Sequence, residues 1–467
     1  MKLSRLFVCS TALAVLAGCA TFDSAPTPES VFVVLGEGGG ASARAITTAP
    51  ACPAIELDGR SESMSVRVPH TAIPLRGTGP QSAAVLTCEA AIPTGTMRAR
   101  VAGIALALPR PNAARIVVLG DTGCRLKVPE YQDCNDPAAY PFARIAAVAA
   151  AWKPDLVVHV GDYHYRESPC PADRTGCKDS PWGYGWEAWK ADFFAPGQAL
   201  LRAAPWVMGR GNHESCKRGG QGYWRFLDPR PLAPGRDCQL PANDLAGDYS
   251  DPYAVPVGGN AQLIVFDSSN TNWKGLAPGD IGREKYADTW RKIDALSRQA
   301  GYNIAVDHHP LFGFGATTAK NGKVTMFGGD KGLHDAFGAL GAGLLPPRIS
   351  MLLSGHVHLW EQVSFASEHP TQFISGFSGS AEDTTPLPAG IPTIEAAPGA
   401  VVEAISSWID GFGFMTMERS GPDSWNVKVW DKNGRERNSC TVRGRKSACS
   451  VAQVASDKTA PAVGSSR

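Results

Sequence analysis

Five short segments of the 467-residue chain carry side chains of the types that hold metal ions. Asp121 follows a glycine in Gly120-Asp121-Thr122-Gly123, and Asp162 and Tyr165 stand three apart in Gly161-Asp162-Tyr163-His164-Tyr165. Asn212 and His213 sit in Gly211-Asn212-His213-Glu214, two histidines in Asp307-His308-His309-Pro310, and two more in Gly355-His356-Val357-His358. Among them, two carboxylates, a phenol, an amide and three of the imidazoles make a hard oxygen and nitrogen set. Such a set suits a pair of first-row metal ions rather than thiolate-bound zinc. Each segment alone has an ordinary explanation: Asn-His after Gly is a common turn, and His356 with His358 could be two exposed side chains on a strand. The recurrence is what points to chemistry.

What recurs is the context. Apolar runs at 116–119, 156–160, 205–208, 303–306 and 349–353 each end in one of these segments, and such runs read as strands buried on both faces. In open α/β sheets, function collects at the carboxyl ends of strands. The stretch 142–152 reads as an amphipathic helix between the first two strands, and that βαβ order makes them parallel neighbours, with Asp121 beside Asp162. A second helix is expected over 283–299. Trp186, Trp189 and Phe193 share a helical face and are expected to fill a core, as are Trp182, Tyr184 and Trp224 in their loops.

The rest of the chain sets the frame. Lys2, Arg5, an apolar run at 6–16 and Leu16-Ala17-Gly18-Cys19 describe an export signal too short to span a membrane. The last four residues resemble a bacterial lipobox, which implies cleavage before Cys19 and a lipid anchor on it; Ala20 in place of Asp points to the outer membrane, facing the periplasm or the surface. The 45 basic residues, less Lys2 and Arg5, leave 43 against 44 acidic ones, and a near-neutral chain gives no electrostatic case for nucleic acid. No segment signals a protein partner. Beyond Cys9 and Cys19, ten cysteines remain, and in an oxidising compartment an even number favours disulfides. The simplest scheme pairs neighbours: Cys52 with Cys88, Cys124 with Cys134, Cys170 with Cys177, Cys216 with Cys238, and Cys440 with Cys449. The organisation expected is a signal at 1–18, a tether at 19–29, a small β-rich domain at 30–111, a catalytic α/β domain at 112–436, and a disulfide-bearing segment with a polar tail at 437–467.

As an ordered set, the five segments resemble the blocks of the calcineurin-like metallophosphoesterases, and most of all the purple acid phosphatase branch. Gly123 stands where most of that superfamily has a ligand histidine, and the second block has the Gly-Asp-x-x-Tyr form. The resemblance covers roughly 115–361 and implies a sandwich of mixed β-sheets flanked by helices. It implies one metal held by Asp121, Asp162, Tyr165 and His358, and a second held by Asp162, Asn212, His308 and His356, with Asp162 bridging. His308 is chosen over His309 because the family places its ligand two residues before the proline, so His309 is expected to point away. His213 would act near the leaving-group oxygen; Glu214, Asp307, His164 and Glu361 would support the ligands. His70, His159, His334 and His369 are left as structural or surface residues. A phenol titrates near pH 10, so Tyr165 as a ligand calls for a strong Lewis acid such as Fe(III), with Fe(II), Zn or Mn at the other site. The implied activity is hydrolysis of a small-molecule phosphate ester, a monoester in preference to a diester, by an acidified bridging water. The contrasting reading is a binding lipoprotein that keeps the fold without turnover.

Overall fold

The computed structural model describes residues 27–76, 79–381 and 385–454. The export signal, Cys19 and the polar end of the tail lie outside these residues. Two large sheets face each other. The first has eleven strands, with Arg115–Leu119, Leu156–His159 and Trp206–Met208 adjacent at its centre. The second has eight, with Ala261–Val265, Tyr302–Val306, Ile349–Ser354 and Thr371–Ser375 running parallel through its middle.

The apolar runs explain this arrangement. In Arg115–Leu119, Ile116 and Val118 point between the sheets, while Val117 and Leu119 point outward to a second core. In Tyr302–Val306, Ile304 and Val306 face the first sheet and Ala305 faces a third core. A strand with alternate residues in two cores must be apolar throughout, which is why these segments read as unbroken runs. The outer cores are roofed by helices. Phe142–Ala151 buries Phe142, Ile145, Ala146 and Ala149 against the first sheet, and Trp186, Trp189 and Phe193 lie in the same core. Ile281–Ser297, capped by Asp280 accepting from Gly282 N, and Lys331–Phe337, capped by Asp330 accepting from Leu333 N, cover the second.

Leu156–His159 pairs in parallel with Arg115–Leu119, His159 opposite Leu119, so the expected βαβ unit is present. The N-terminal strand-rich region is present too, and it reaches further than its sequence suggests. Ser30–Leu35 pairs in parallel with Trp206–Met208, and Ala41–Thr47, Val85–Ile92 and Ser65–Thr71 extend the same sheet outward. Glu29 is already part of this structure, ion-paired with Lys190. At the opposite edge, Gly413–Gly421 adds antiparallel to Arg115–Leu119, and Glu436–Arg443 with Lys446–Cys449 closes the sheet. All five disulfides join the neighbouring cysteines. Among the described residues no helix is long and apolar enough to cross a membrane.

Candidate metal centre

The parallel strands of both sheets deliver their carboxyl ends to one point, and the turns that follow are unusual. Asp121, Asp162 and His356 have φ of 54°, 60° and 70°. Side chains with a Cβ rarely adopt this left-handed region, at a cost of about 1 kcal/mol or more each. The surroundings hold them there. The carboxylate of Glu214 accepts from the N–H groups of Asp162 (2.9 Å), Tyr163 (2.9 Å), His164 (3.2 Å) and Gly211 (3.1 Å), pinning the second and third turns together. Fully buried Asp192 does the same for the first and second, accepting from Cys124 N (3.0 Å), Tyr165 N (2.7 Å) and Arg166 Nε (2.6 Å). Gly123 is required by the same closeness: a Cβ there would lie 2.8 Å from Tyr165 N and 2.9 Å from Asp192 Oδ2. A histidine cannot stand at this position, and Tyr165 reaches the centre instead.

The seven expected ligand side chains converge. Tyr165 Oη lies 2.9 Å from Asp121 Oδ1, 2.8 Å from Asp162 Oδ2 and 2.8 Å from His358 Nε2. On the other side of Asp162, its Oδ2 is 3.2 Å from His308 Nε2. Asn212 Oδ1 is 3.0 Å from both His308 Nε2 and His356 Nδ1. Asp162 thus lies between the two groups of side chains. His308 Nδ1 sits 2.9 Å from the carbonyl of Val160, which fixes the ring and turns Nε2 inward.

His309 does not point away. Its ring centroid is 4.3 Å from that of His356, and one of its nitrogens comes within 4.8 Å of ligand atoms on His308 and His356. Its Nδ1 is 3.2 Å from Ser268 Oγ, a hydroxyl that also accepts from the N–H groups of His308 and His309. The backbone reverses tightly around that one oxygen, so both adjacent rings stay on the same side.

The donor chemistry fits metal ions. Burial, then Asp121 and Asp162, push the Tyr165 phenol well above its ordinary range, and its single proton cannot serve both carboxylates. Asp162 is held well below the usual carboxylate range: burial works against it, but His308 and His213 outweigh burial. Asp162 in turn raises His308, against burial, to about 10. A cation at this point would replace those protons and relieve the crowding of buried carboxylates.

Beside the candidate ligands, His213 donates its backbone N–H to Asp162 Oδ1 (2.8 Å), and its ring packs 3.7 Å from that of Tyr165. Its Nδ1 is 2.8 Å from Glu167 Oε1 and 3.0 Å from the carbonyl of His164, while its Nε2 is 2.7 Å from Arg218 Nη2 and 3.8 Å from Asp162 Oδ2. Burial and Arg218 push the imidazole down to about 4 against the pull of Asp162 and Glu167. Glu167 itself, pushed up by burial, is held down to about 2 by His213 and Arg218. Neither Glu167, Arg218 nor Asp192 was singled out from the sequence. Glu167 had a signal, a carboxylate two residues past Tyr165 in the same turn; Arg218 and Asp192 had none short of the fold. Asp307 accepts from Ser354 Oγ and Glu361 from Phe314 N, bonds that reach no expected ligand. His159 is structural, stacked on Tyr163 and beside Thr122 Oγ1. Trp224 is buried in its loop core.

The model of the calcineurin-like phosphoesterase family matches residues 114–359. No curated protein matches the chain by sequence. Among solved structures, the purple acid phosphatase from yellow lupin (Lupinus luteus) seeds is similar at 13% identity and a TM-score of 0.51, over 88% of this chain and 74% of that one. PhoD is similar at 13% identity and a TM-score of 0.51, over 92% of this chain and 93% of that one. At such identity these likenesses speak for the fold. The family match spans more than half of the chain and contains all five strand-end segments, and on that ground the chain belongs to the calcineurin-like phosphoesterases.

Proposed function

We propose that the protein is a binuclear metal phosphomonoesterase of the purple acid phosphatase type, exported and lipid-anchored through Cys19 to the outer membrane. The observation that carries the reading is Tyr165, a buried phenol whose oxygen lies within hydrogen-bond distance of Asp121, Asp162 and His358 at once. Asp121, Asp162, Tyr165 and His358 would hold a trivalent ion, and Asp162, Asn212, His308 and His356 a divalent one, with His309 close enough to adjust the second site. When bound, such a pair supplies Lewis-acid stabilisation of charge on the phosphoryl oxygens and a nucleophile from water at modest pH.

The chain's own residues do the rest. Glu167 accepts from Nδ1 of His213, fixes the ring and stabilises its doubly protonated form, the one that carries a proton on Nε2 as well. From there His213 donates to the oxygen of the departing alcohol. Arg218, whose Nη2 lies 2.7 Å from Nε2 of His213, adds positive charge beside a site that must accept a phosphate.

Metal analysis and a visible spectrum of the purified mature protein test this, with phenyl phosphate and bis-(p-nitrophenyl) phosphate as substrates. The expected result is two metals per chain including iron, a charge-transfer band lost in Tyr165→Phe, and faster turnover of the monoester. Two metals without that band, with the diester preferred, would replace the reading by a phosphodiesterase on a divalent pair. A protein without metal and without turnover would be a binding lipoprotein.

A further inference from the structure

We infer that the hairpin after the first metal-binding turn is a subsite for a second anion on the leaving group. This rests on the phosphomonoesterase reading and names the class of monoester: one whose alcohol carries a carboxylate or a further phosphate. Beside the centre lies a cavity of about 280 Å³ whose walls include Tyr165, His213, Arg125 and Lys127. His213 is the group placed to meet the departing oxygen, so this cavity is where the alcohol goes.

The hairpin that forms its other wall pairs Leu126–Lys127 with Glu130–Tyr131. Leu126 is fully buried, so Arg125 and Lys127, one residue either side of it, turn to the cavity. Arg125 is the inner cation, its Nη2 2.8 Å from His358 Nδ1 and its Nη1 2.6 Å from Glu130 Oε2. Glu130 pairs with Arg125 and offsets one of the two positive charges, and Lys127 is the outer cation of the cavity wall. Residues two apart on an extended strand are set about 7 Å apart. An inner cation near the phosphate and an outer one two residues further along the same cavity wall match a substrate with two anions on a short carbon skeleton. The hairpin cannot drift from the centre. Leu126 N donates to the carbonyl of Tyr165 (3.0 Å), Gln132 Oε1 accepts from Arg125 N (3.0 Å), and Cys124 is bonded to Cys134. Such preorganisation is what a binding residue needs and a merely solvating lysine does not.

The test uses the full mature protein with 4-carboxyphenyl phosphate and 4-methylphenyl phosphate, and reads the ratio of their kcat/KM in wild type, Lys127→Met and Lys127→Arg. The ratio is expected to fall about tenfold in the Met variant and to recover in the Arg variant. Comparing the ratio across variants cancels the difference in leaving-group acidity. In parallel, calorimetry on wild type with propylphosphonate, 3-phosphonopropionate and propane-1,3-diphosphonate reads the second anion without turnover. Tighter binding of the carboxylate or of the diphosphonate supports the subsite and says which anion it takes. Equal affinities for the three, or a ratio unmoved by Lys127→Met with both esters hydrolysed, would overturn the subsite and leave the phosphomonoesterase reading standing. Failure of wild type to hydrolyse either ester would remove that reading and the subsite with it.

Discussion

A Cβ built on Gly211 would stand 2.1 Å from Asp162 Oδ1 and 2.4 Å from Asp162 N, so the carboxylate expected to bridge two metals rests directly on a glycine. Neither neighbour can yield, because Glu214 ties the N–H groups of Gly211 and Asp162 to a single side chain. Gly211→Ala is therefore expected to shift Asp162 and cost the protein one or both metals while it still folds; metal content and far-UV circular dichroism of the variant check this, and full metal content would show that the turn has slack. Glu167 calls for a different outcome, since it touches no ligand and acts on His213. Glu167→Gln is expected to keep both metals and to lower kcat by about 10- to 100-fold for phenyl phosphate, with a smaller loss for p-nitrophenyl phosphate, whose better leaving group needs less help from an acid. Equal losses on the two esters would assign Glu167 to structure alone.

At the level of elements, the strands were legible because burial on both faces writes itself into the chain as an unbroken apolar run, and the candidate ligands were legible because each follows such a run. The helix read over 142–152 is present as Phe142–Ala151, and the one read over 283–299 as Ile281–Ser297. What the sequence hid was long-range. Nothing in Ser30–Leu35 says that it pairs with Trp206–Met208, and nothing near Asp192 says that it will meet Cys124 and Tyr165; such contacts exist only once the sheet is assembled. His309 was misjudged because a motif gives spacing and not the path of the backbone around Ser268. Glu361, on Trp360–Phe365, shows an element held by a group that titrates. Its Oε1 accepts from Phe314 N at the start of the Phe314–Thr318 strand, its Oε2 has no hydrogen-bond partner among the described residues, and burial pushes the carboxyl up to about 8 from an ordinary 4.5. A folded-state pKa above the unfolded one means the folded protein holds the proton longer. Stability from this group is complete below pH 4.5 and is lost as pH rises to about 8, by on the order of 5 kcal/mol across the window. Glu361→Gln removes the titration, so its melting temperature should gain on wild type as pH rises from 5 to 8 and gain no more above that. Melting curves that stay parallel across this range would mean the carboxyl ionises normally.

On the scale of the whole molecule, the centre is a joint. Asp121, Asp162, Tyr165 and Asn212 come from turns of the eleven-stranded sheet, and His308, His356 and His358 from turns of the eight-stranded one. Between the sheets lies an apolar core that resists separation but is indifferent to small sliding. Direction at this end of the sandwich comes from the polar convergence, and there the metal-free protein sets two buried carboxylates beside one phenolic proton. A metal pair would replace that conflict with bonds from both sheets, and since the unfolded chain offers no such site, binding energy becomes folding energy. At a free-metal concentration a hundred times the dissociation constant the gain is about 2.7 kcal/mol per site, which in a chain this long amounts to a few degrees of melting temperature. Dialysis against a chelator should therefore lower the melting temperature, and titrating metal back should raise it in proportion to the logarithm of metal concentration. Asp162→Asn should flatten that dependence more than Asn212→Ala, because only Asp162 lies in both donor groups. A melting temperature independent of metal, measured on protein shown by analysis to have lost it, would mean that the two sheets hold their register without the centre, and that the strain at Asp121, Asp162 and His356 is borne by the fold alone.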